Sequence, residues 1–484
     1  MTATRHCLAK HPFVFALATL TTGALCLLHS DPCWAETSPH STGASQHDRV
    51  ENDVPDQWRQ FRGPTGDGHA SNQRPPLTFA GTSSSDQSWR NHDWSVDLPG
   101  KAWSSPIVVD DQVWLTTAIE VKPSDQERLE LLRKTDNAEK KFKQLAIAKS
   151  IELKALVVDL KTGRHLRTIE LITVQQPDAI HSLNSYASPT PVADDESVYC
   201  HFGTFGTFCI DRNTGEIAWQ RILPLQHAVG PGSSPILHGN KLVLIQDGME
   251  RQYVTALDKS TGQTLWETER PPMEAPSGDQ KKAYCTPVAI IDPNGQEQLL
   301  CMGSQWMVSI DAESGDERWR LYHGKGFSVV PRPVYADGVV YFATGFGKPQ
   351  LWAARVDGNG DVTDTHVLWT VSRGIPAKPS PLLLDGLIYV VDDNGVASCF
   401  DARDGSQVWK QRFGGKFSSS PVFTSDHLFF GNHDGEIFVI TPGPESEVVA
   451  TNHVGDQIMA SPVVVEDSMI IRTARSLHRF ATGS

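Results

Sequence analysis

Residues 232–270 read GSSPILHGNKLVLIQDGMERQYVTALDKSTGQTLWETER, and their reading decides the fold. Ser234-Pro235 opens a short apolar run, ILHGN. A second run, LVLIQ, is followed by a polar loop, DGMER. A third, YVTAL, leads into the turn Asp258-Lys-Ser-Thr-Gly262, and a last segment carries Trp266. Four short strands joined by tight turns predict one blade of a β-propeller. Pro235 has no N–H to give to a ladder, so it marks the first residue of a strand. Asp258 caps the turn through its carboxylate, and Gly262 takes the positive φ that a tight hairpin needs. Trp266 is large and flat enough to staple one blade to the next. A lone blade cannot bury both faces, so the unit must recur.

It does recur. An opening proline stands at Pro106, Pro189, Pro235, Pro287, Pro333, Pro381, Pro421 and Pro462, after Ser in six cases, Thr286 in one and Arg332 in one. Except for the first, the intervals are blade lengths of roughly 40–50 residues. The Asp-x3-Gly-x3-Trp turn ends on the staples Trp219, Trp266, Trp319 and Trp409. It is stretched before Trp369, and Arg167 stands where the first copy would place its Trp. The last unit holds three strands before the chain ends. Residues 93–98, with Trp94, supply the missing fourth and close the ring, leaving no open sheet edge. The expected fold is all-β: an eight-bladed propeller of four-stranded antiparallel blades over 93–484. A misread anchor would make the count seven or nine.

The long first interval hides an insertion, about 119–153, rich in Lys, Glu, Leu and Ala. Ser124 with Glu127 resembles a capping box, and Leu129, Leu132, Phe142 and Leu145 form an apolar stripe. One or two helices are expected there, either as a solvated bulge or as a lid over one ring face. Residues 1–35 read as a signal peptide, with Arg5, His6 and Lys10 before an apolar run. A retained membrane anchor is the alternative. Cys26 and Cys33 lack the small residue expected before a lipidated cysteine. Residues 36–56 read as a flexible linker, and 57–92 as an arm packed on the ring through Trp58 and Phe61.

The formal net charge of −14 argues against a general nucleic-acid binder. Five cysteines follow the leader: Cys200, Cys209, Cys285, Cys301 and Cys399. Cys200 and Cys209 lie on one hairpin and either bridge or pack as buried thiols. Asp357, Asn359 and Asp361 resemble the start of a calcium loop, but Val362 sits where its glycine belongs and Leu368 where its Glu belongs. A long polar hairpin is the alternative reading.

QFRGPTGDG (60–68), NSYASPTPV (184–192), HFGTFGT (201–207), GPGSSP (230–235), VTALDKSTGQTLW (254–266) and GDVTDTHVLW (360–369) together resemble the secreted propellers with pyrroloquinoline-quinone-like (PQQ-like) repeats. That resemblance implies a fold shared by quinoprotein alcohol dehydrogenases and by the propeller of outer-membrane protein assembly. The first branch implies PQQ with calcium and a roof of adjacent, disulfide-bonded cysteines, which this sequence lacks. The second implies a rigid ring that presents loops to partners. The expectation is an exported, non-catalytic binding or scaffold module of the cell envelope, periplasmic or extracellular. It would be monomeric, with a protein or envelope polymer as its partner and no cofactor. A quinone-dependent oxidoreductase of alcohols or sugars and a polysaccharide binder are the alternatives.

In a propeller the loops before each opening proline, and those between second and third strands, share the face around the channel mouth. That places His181, Asn184, Tyr186, His201, His227, Asp247, Glu250, Arg251, Lys325, Arg332 and Lys416 there. No two histidines sit at a ligand spacing, so a metal is not expected. Arg332, in place of the usual Ser, is the candidate for an anion or carboxylate contact, with a structural ion pair as the alternative.

Overall fold

The computed structural model describes residues 57–483, apart from 82, 84, 87, 136–138 and 228. The expected leader and linker, 1–35 and 36–56, lie outside the described residues. Eight four-stranded antiparallel blades form the ring. Their first strands are Ile107–Val109, Val192–Ala193, Ile236–His238, Val288–Ile291, Val334–Ala336, Leu382–Leu384, Val422–Thr424 and Val463–Val465. Blade numbers follow that order. First strands are largely buried, whereas fourth strands such as Ile217–Arg221 are half exposed, which puts the first strand of each blade innermost. Blade 8 is completed by His92–Asp97, paired antiparallel with Ser476–Ala481.

The anchor of blade 2 is Pro191, after Thr190, and not Pro189. The strand starts at Val192, and Pro189 lies in the loop before it. The tandem Ser-Pro-Thr-Pro offers two equivalent signals, and only strand pairing separates them.

The turn chemistry is as the residues require. Asp258 Oδ1 accepts from the N–H groups of Ser260 (3.0 Å) and Thr261 (2.9 Å), and Gly262 has φ +71°. The indole of Trp219, from the preceding blade, lies on Gly262, where a Cβ would fall 2.7 Å from its ring, and Nε1 donates to the Lys259 carbonyl at 2.9 Å. Trp94 treats Gly163 and Leu160 the same way, and Trp369 treats Gly405 and Ala402. Trp319 donates to Val356 and Trp409 to Gly443. Trp266 lies on Gly315, but its Nε1–H has no partner among the described residues. Where Trp is absent, Arg167 lies flat on Gly215 and donates to the Asn213 carbonyl.

The insertion is less helical than its composition suggests. Blade 1 extends its second and third strands to Gln112–Val121 and Ser150–Asp159, and these consume the ends of the expected helical stretch. Between them lie Asp125–Arg133, the one α-helix among the described residues, and a 3₁₀ segment, Glu139–Gln144. Ser124 and Glu127 make the capping box. Leu132, Phe142 and Leu145 are buried together, while Leu129 is exposed. Cys200 and Cys209 are free: their cross-strand partners are Phe208 and Tyr199, so the two thiols point to opposite faces of the hairpin. All five thiols are free and buried. The stretched turn of blade 5 reaches back to blade 4, where Gly360–Asp361 pairs parallel with Trp319 and Arg320.

The arm crosses the face that carries the turns between first and second strands. Trp58 bridges to Val108 of blade 1, His69 Nε2 bonds the Leu383 carbonyl of blade 6 at 2.8 Å, and His69–Ala70 adds a parallel strand to blade 7.

Two glycine substitutions separate stacking from backbone strain. Gly262→Ala meets Trp219 and a positive φ, whereas Gly239→Ala, at φ +57° with open space around it, meets only the positive φ. Gly239→Ala should cost about 1–2 kcal/mol, and Gly262→Ala about 1–3 kcal/mol more, in urea unfolding. Equal losses would show that the indole contributes nothing at the turn.

Candidate functional site

The loops entering the eight first strands surround a funnel of about 450 Å³ on the face opposite the arm. Its floor is built from the residues that precede the anchor prolines, which form a nearly closed circuit of hydrogen bonds. The N–H of Ser105 donates to Thr190 Oγ1 (2.9 Å), that of Thr190 to Ser234 Oγ (2.9 Å), and that of Ser234 to Thr286 Oγ1 (3.3 Å). The N–H of Arg332 donates to Ser380 Oγ (3.0 Å), that of Ser380 to Ser420 Oγ (3.0 Å), that of Ser420 to Ser461 Oγ (2.9 Å), and that of Ser461 back to Ser105 Oγ (3.0 Å). Seven hydroxyls thus converge on the axis. The Ser/Thr-Pro signal was visible in the sequence as a strand start. Its second role, a hydroxyl offered to the neighbouring blade, needs the ring.

Phe61, from the arm, enters this floor from the other side. Arg332 stands at the eighth position of the circuit. It is 3% exposed and reaches down to the arm, where Nη1 donates to the carbonyls of Phe61 (3.0 Å) and Gly66 (2.8 Å), and Nε donates to Pro287 (3.2 Å). A Cβ on Gly66, itself at φ +76°, would fall 2.0 Å from that nitrogen. The structure places Arg332 as the tie between ring and arm, bonded to carbonyls, with no carboxylate in contact.

The walls carry Trp103, Leu183, Tyr284, Phe327 and Phe346. The insertion contributes Lys141, Gln144 and Leu145 to the lining, and Lys141 reaches Asp279 at 2.8 Å. Of the residues predicted for this face, His181 and Asn184 line the funnel. Asn184 holds the loop together, donating to the carbonyls of Val229 (2.9 Å) and Pro231 (3.0 Å). His181 Nδ1 accepts from the Leu183 N–H, and burial lowers its pKa. Tyr186 lies in the core behind the wall, 1% exposed, donating to the Asp178 carbonyl, so its ring offers no stacking face to a sugar. Arg251 is exposed away from the funnel, paired with Glu269 (2.6 Å) and Glu267 (3.1 Å). Glu250 accepts from the Gln226 N–H, Lys416 donates to Asn394 (2.6 Å), and Lys325 is exposed. Asp357 lies near Arg355 and His366, while Asp361 accepts from Thr363. Among the described residues no three His, Cys, Asp or Glu side chains converge to hold a metal ion.

His201, His227 and Asp247 come together beneath the wall, joined by two residues the sequence did not single out, Arg270 and Lys282. Asp247 pairs with Arg270 at 2.8 Å, both side chains fully buried. His201 bonds Thr207 Oγ1 at 2.8 Å, and burial lowers its pKa to about 4. His227 Nε2 accepts from the Thr204 N–H at 3.1 Å, and burial, with Lys282 beside it, holds its pKa well below the usual value. Lys282 is wholly buried and donates to the His227 carbonyl at 3.1 Å. Burial pulls its pKa down from 10.5 to about 7, against the pull of Asp247. Next to Lys281, it reads in sequence as half of a solvated pair.

A family profile described as outer membrane protein assembly factor BamB matches residues 85–268 and 359–443, more than half of the chain. The chain belongs to this family. The BamB of Burkholderia pseudomallei (strain K96243) is 29% identical over 114 residues, covering 23% of this chain and 29% of that protein. The BamB of Moranella endobia (strain PCIT) is 23% identical over 276 residues, covering 55% and 64%. The chain thus spans less than two thirds of these relatives' lengths. Among solved structures, BamB from Moraxella catarrhalis superposes with a TM-score of 0.52 at 14% identity, over 80% of this chain and 98% of that one. A europium-containing methanol dehydrogenase gives 0.58 at 11% identity, over 89% and 98%. Those likenesses show the fold, a PQQ-like propeller.

The dehydrogenase likeness raises the question whether this BamB-family funnel fits a quinone and its metal. Hard cations need several carboxylate or carbonyl oxygens. Asp279, the acidic side chain on the funnel wall, is held by Lys141, and the floor is alcohols. The residues present do not fit that group.

The buried amine has a measurable signature. Between about pH 7 and the ordinary lysine value of 10.5, the unfolded chain carries a proton on Lys282 that the folded chain lacks. Stability therefore rises with pH across that window. Relative to Lys282→Met, the wild type should gain up to about 1.4 kcal/mol per pH unit from roughly pH 7 to 9, read by urea unfolding. Parallel curves would mean that the folded chain keeps the amine charged.

Proposed function

We propose that this chain is a non-catalytic scaffold of the cell envelope. It is exported to the periplasm or beyond, and it holds a protein partner on the face that carries the funnel and the insertion. Membership of the BamB family supports an envelope scaffold. The observation that carries the reading is the state of the ionisable groups around the funnel: Asp279, Asp247 and Arg332 are each bonded within the fold, and His201 and His227 are buried and neutral. Apolar side chains stand at the mouth instead, with Leu183 56% and Phe346 37% exposed. A rigid ring with an apolar rim suits docking, where large contacts come from shape and carbon.

Photo-crosslinking tests this reading. A photoreactive phenylalanine at Leu183 or Phe346 should capture a discrete protein from the native envelope, and one at Val448, exposed on the outer strand of blade 7, should not. Equal yields at all three positions, or none at the rim, would remove the proposal.

A further inference from the structure

The funnel floor has a chemistry that docking does not require. Each of its seven hydroxyls accepts a backbone N–H from the preceding residue of the circuit, and none donates to any described residue. A hydroxyl carries one rotatable proton, so seven O–H donors are free to turn toward the axis. Neutral donors converging on one point form a seat for negative charge.

The charges beneath the floor have the matching sign. Arg332 is bonded to carbonyls alone through its guanidinium. Arg62, 1% exposed, gives one nitrogen to the Asp67 carbonyl and leaves Nε and Nη1 without a hydrogen-bond partner among the described residues. Arg472, 3% exposed, donates to the carbonyls of Ser104 and Thr116 and to Ser104 Oγ. The nearby carboxylate of Asp67 binds Thr65 and the His69 N–H instead of a guanidinium. A chain with a formal net charge of −14 thus buries three guanidinium groups at its hub, none of them in contact with a carboxylate among the described residues. Low-dielectric walls focus such a field into the cleft. On the walls themselves Lys141 and Asp279 cancel, and Lys378 is balanced by Asp393 at 3.3 Å. Above the floor the surface is aromatic and aliphatic, and a cavity of about 450 Å³ matches a small organic molecule.

We infer that the funnel binds a small organic monocarboxylate with an apolar body, its carboxylate on the floor hydroxyls and its carbon against Trp103, Phe327 and Phe346.

Octanoate, octanol and octylammonium share one tail and differ in the head. Titrated calorimetrically into the purified full chain, octanoate should bind at least about tenfold more tightly than octanol, a margin typical of one charge-assisted hydrogen bond, and octylammonium should give no heat. Octanoate should change the tryptophan fluorescence. Trp103→Phe should lose that change and bind octanoate a few-fold more weakly, which locates the ligand. Ser380→Ala combined with Ser420→Ala should weaken octanoate several-fold and leave octanol unchanged. If that double variant fails to fold, the head-group series on the wild type decides alone. Equal affinity for octanoate and octanol, binding of octylammonium, or no heat with any of the three at millimolar concentration overturns the assignment. None of these results bears on crosslinking at the rim.

Discussion

A flat side chain lying on a bare glycine is the contact on which the ring depends. At four of the eight junctions the indole of the fourth strand covers the turn glycine of the next blade, and at three of these its N–H ends on a carbonyl of that turn. The glycine is required twice over, for its positive φ and for the missing Cβ. Arg167 shows that planarity and a donor matter more than the indole itself, since a guanidinium fills the same place on Gly215. Seven of the eight junctions carry such an indole or guanidinium on the turn of the next blade, which holds the loops at the hub and leaves the funnel a preformed cavity.

At the hub a second, polar circuit does the same work on a smaller radius. Backbone N–H groups that would be orphaned at the strand starts are satisfied by hydroxyls of the adjacent blade. The circuit changes character at Arg332, and the arm is tied there. The substitution that interrupts the hydroxyl series is thus the one that fixes Phe61 beneath the funnel. Rigidity, a closed base and an apolar rim follow from the same few residues, and they give a scaffold reading its physical content.

Much of this was legible in the residues because it rests on local chemistry. The Asp-x3-Gly-x3-Trp turns, the capping box at Ser124 and the closing strand around Trp94 each follow from short-range rules applied to a repeat. What escaped depends on contacts distant in sequence. Tyr186 sits in a loop by position but turns its ring into the core. His201, His227 and Asp247 were expected at the channel mouth, and they lie under its wall because Arg270 and Lys282, on later segments, meet them there. The choice between Pro189 and Pro191 needed the strand register, and the offset of Cys200 from Cys209 needed the ladder. Arg332 was singled out for the right anomaly, a cation where a hydroxyl belongs, but its contacts belong to an arm 266 residues earlier.

Blade 8 joins His92–Asp97 to Ser476–Ala481, so its sheet needs residues from both ends of the described chain. During synthesis, blade 1 therefore waits for its neighbour until the last segment has emerged. Pairings of such long sequence separation form slowly, because the chain entropy must be lost before the contact repays it. A polypeptide whose final sheet waits in this way becomes a closed, resistant ring only when that one pairing is made.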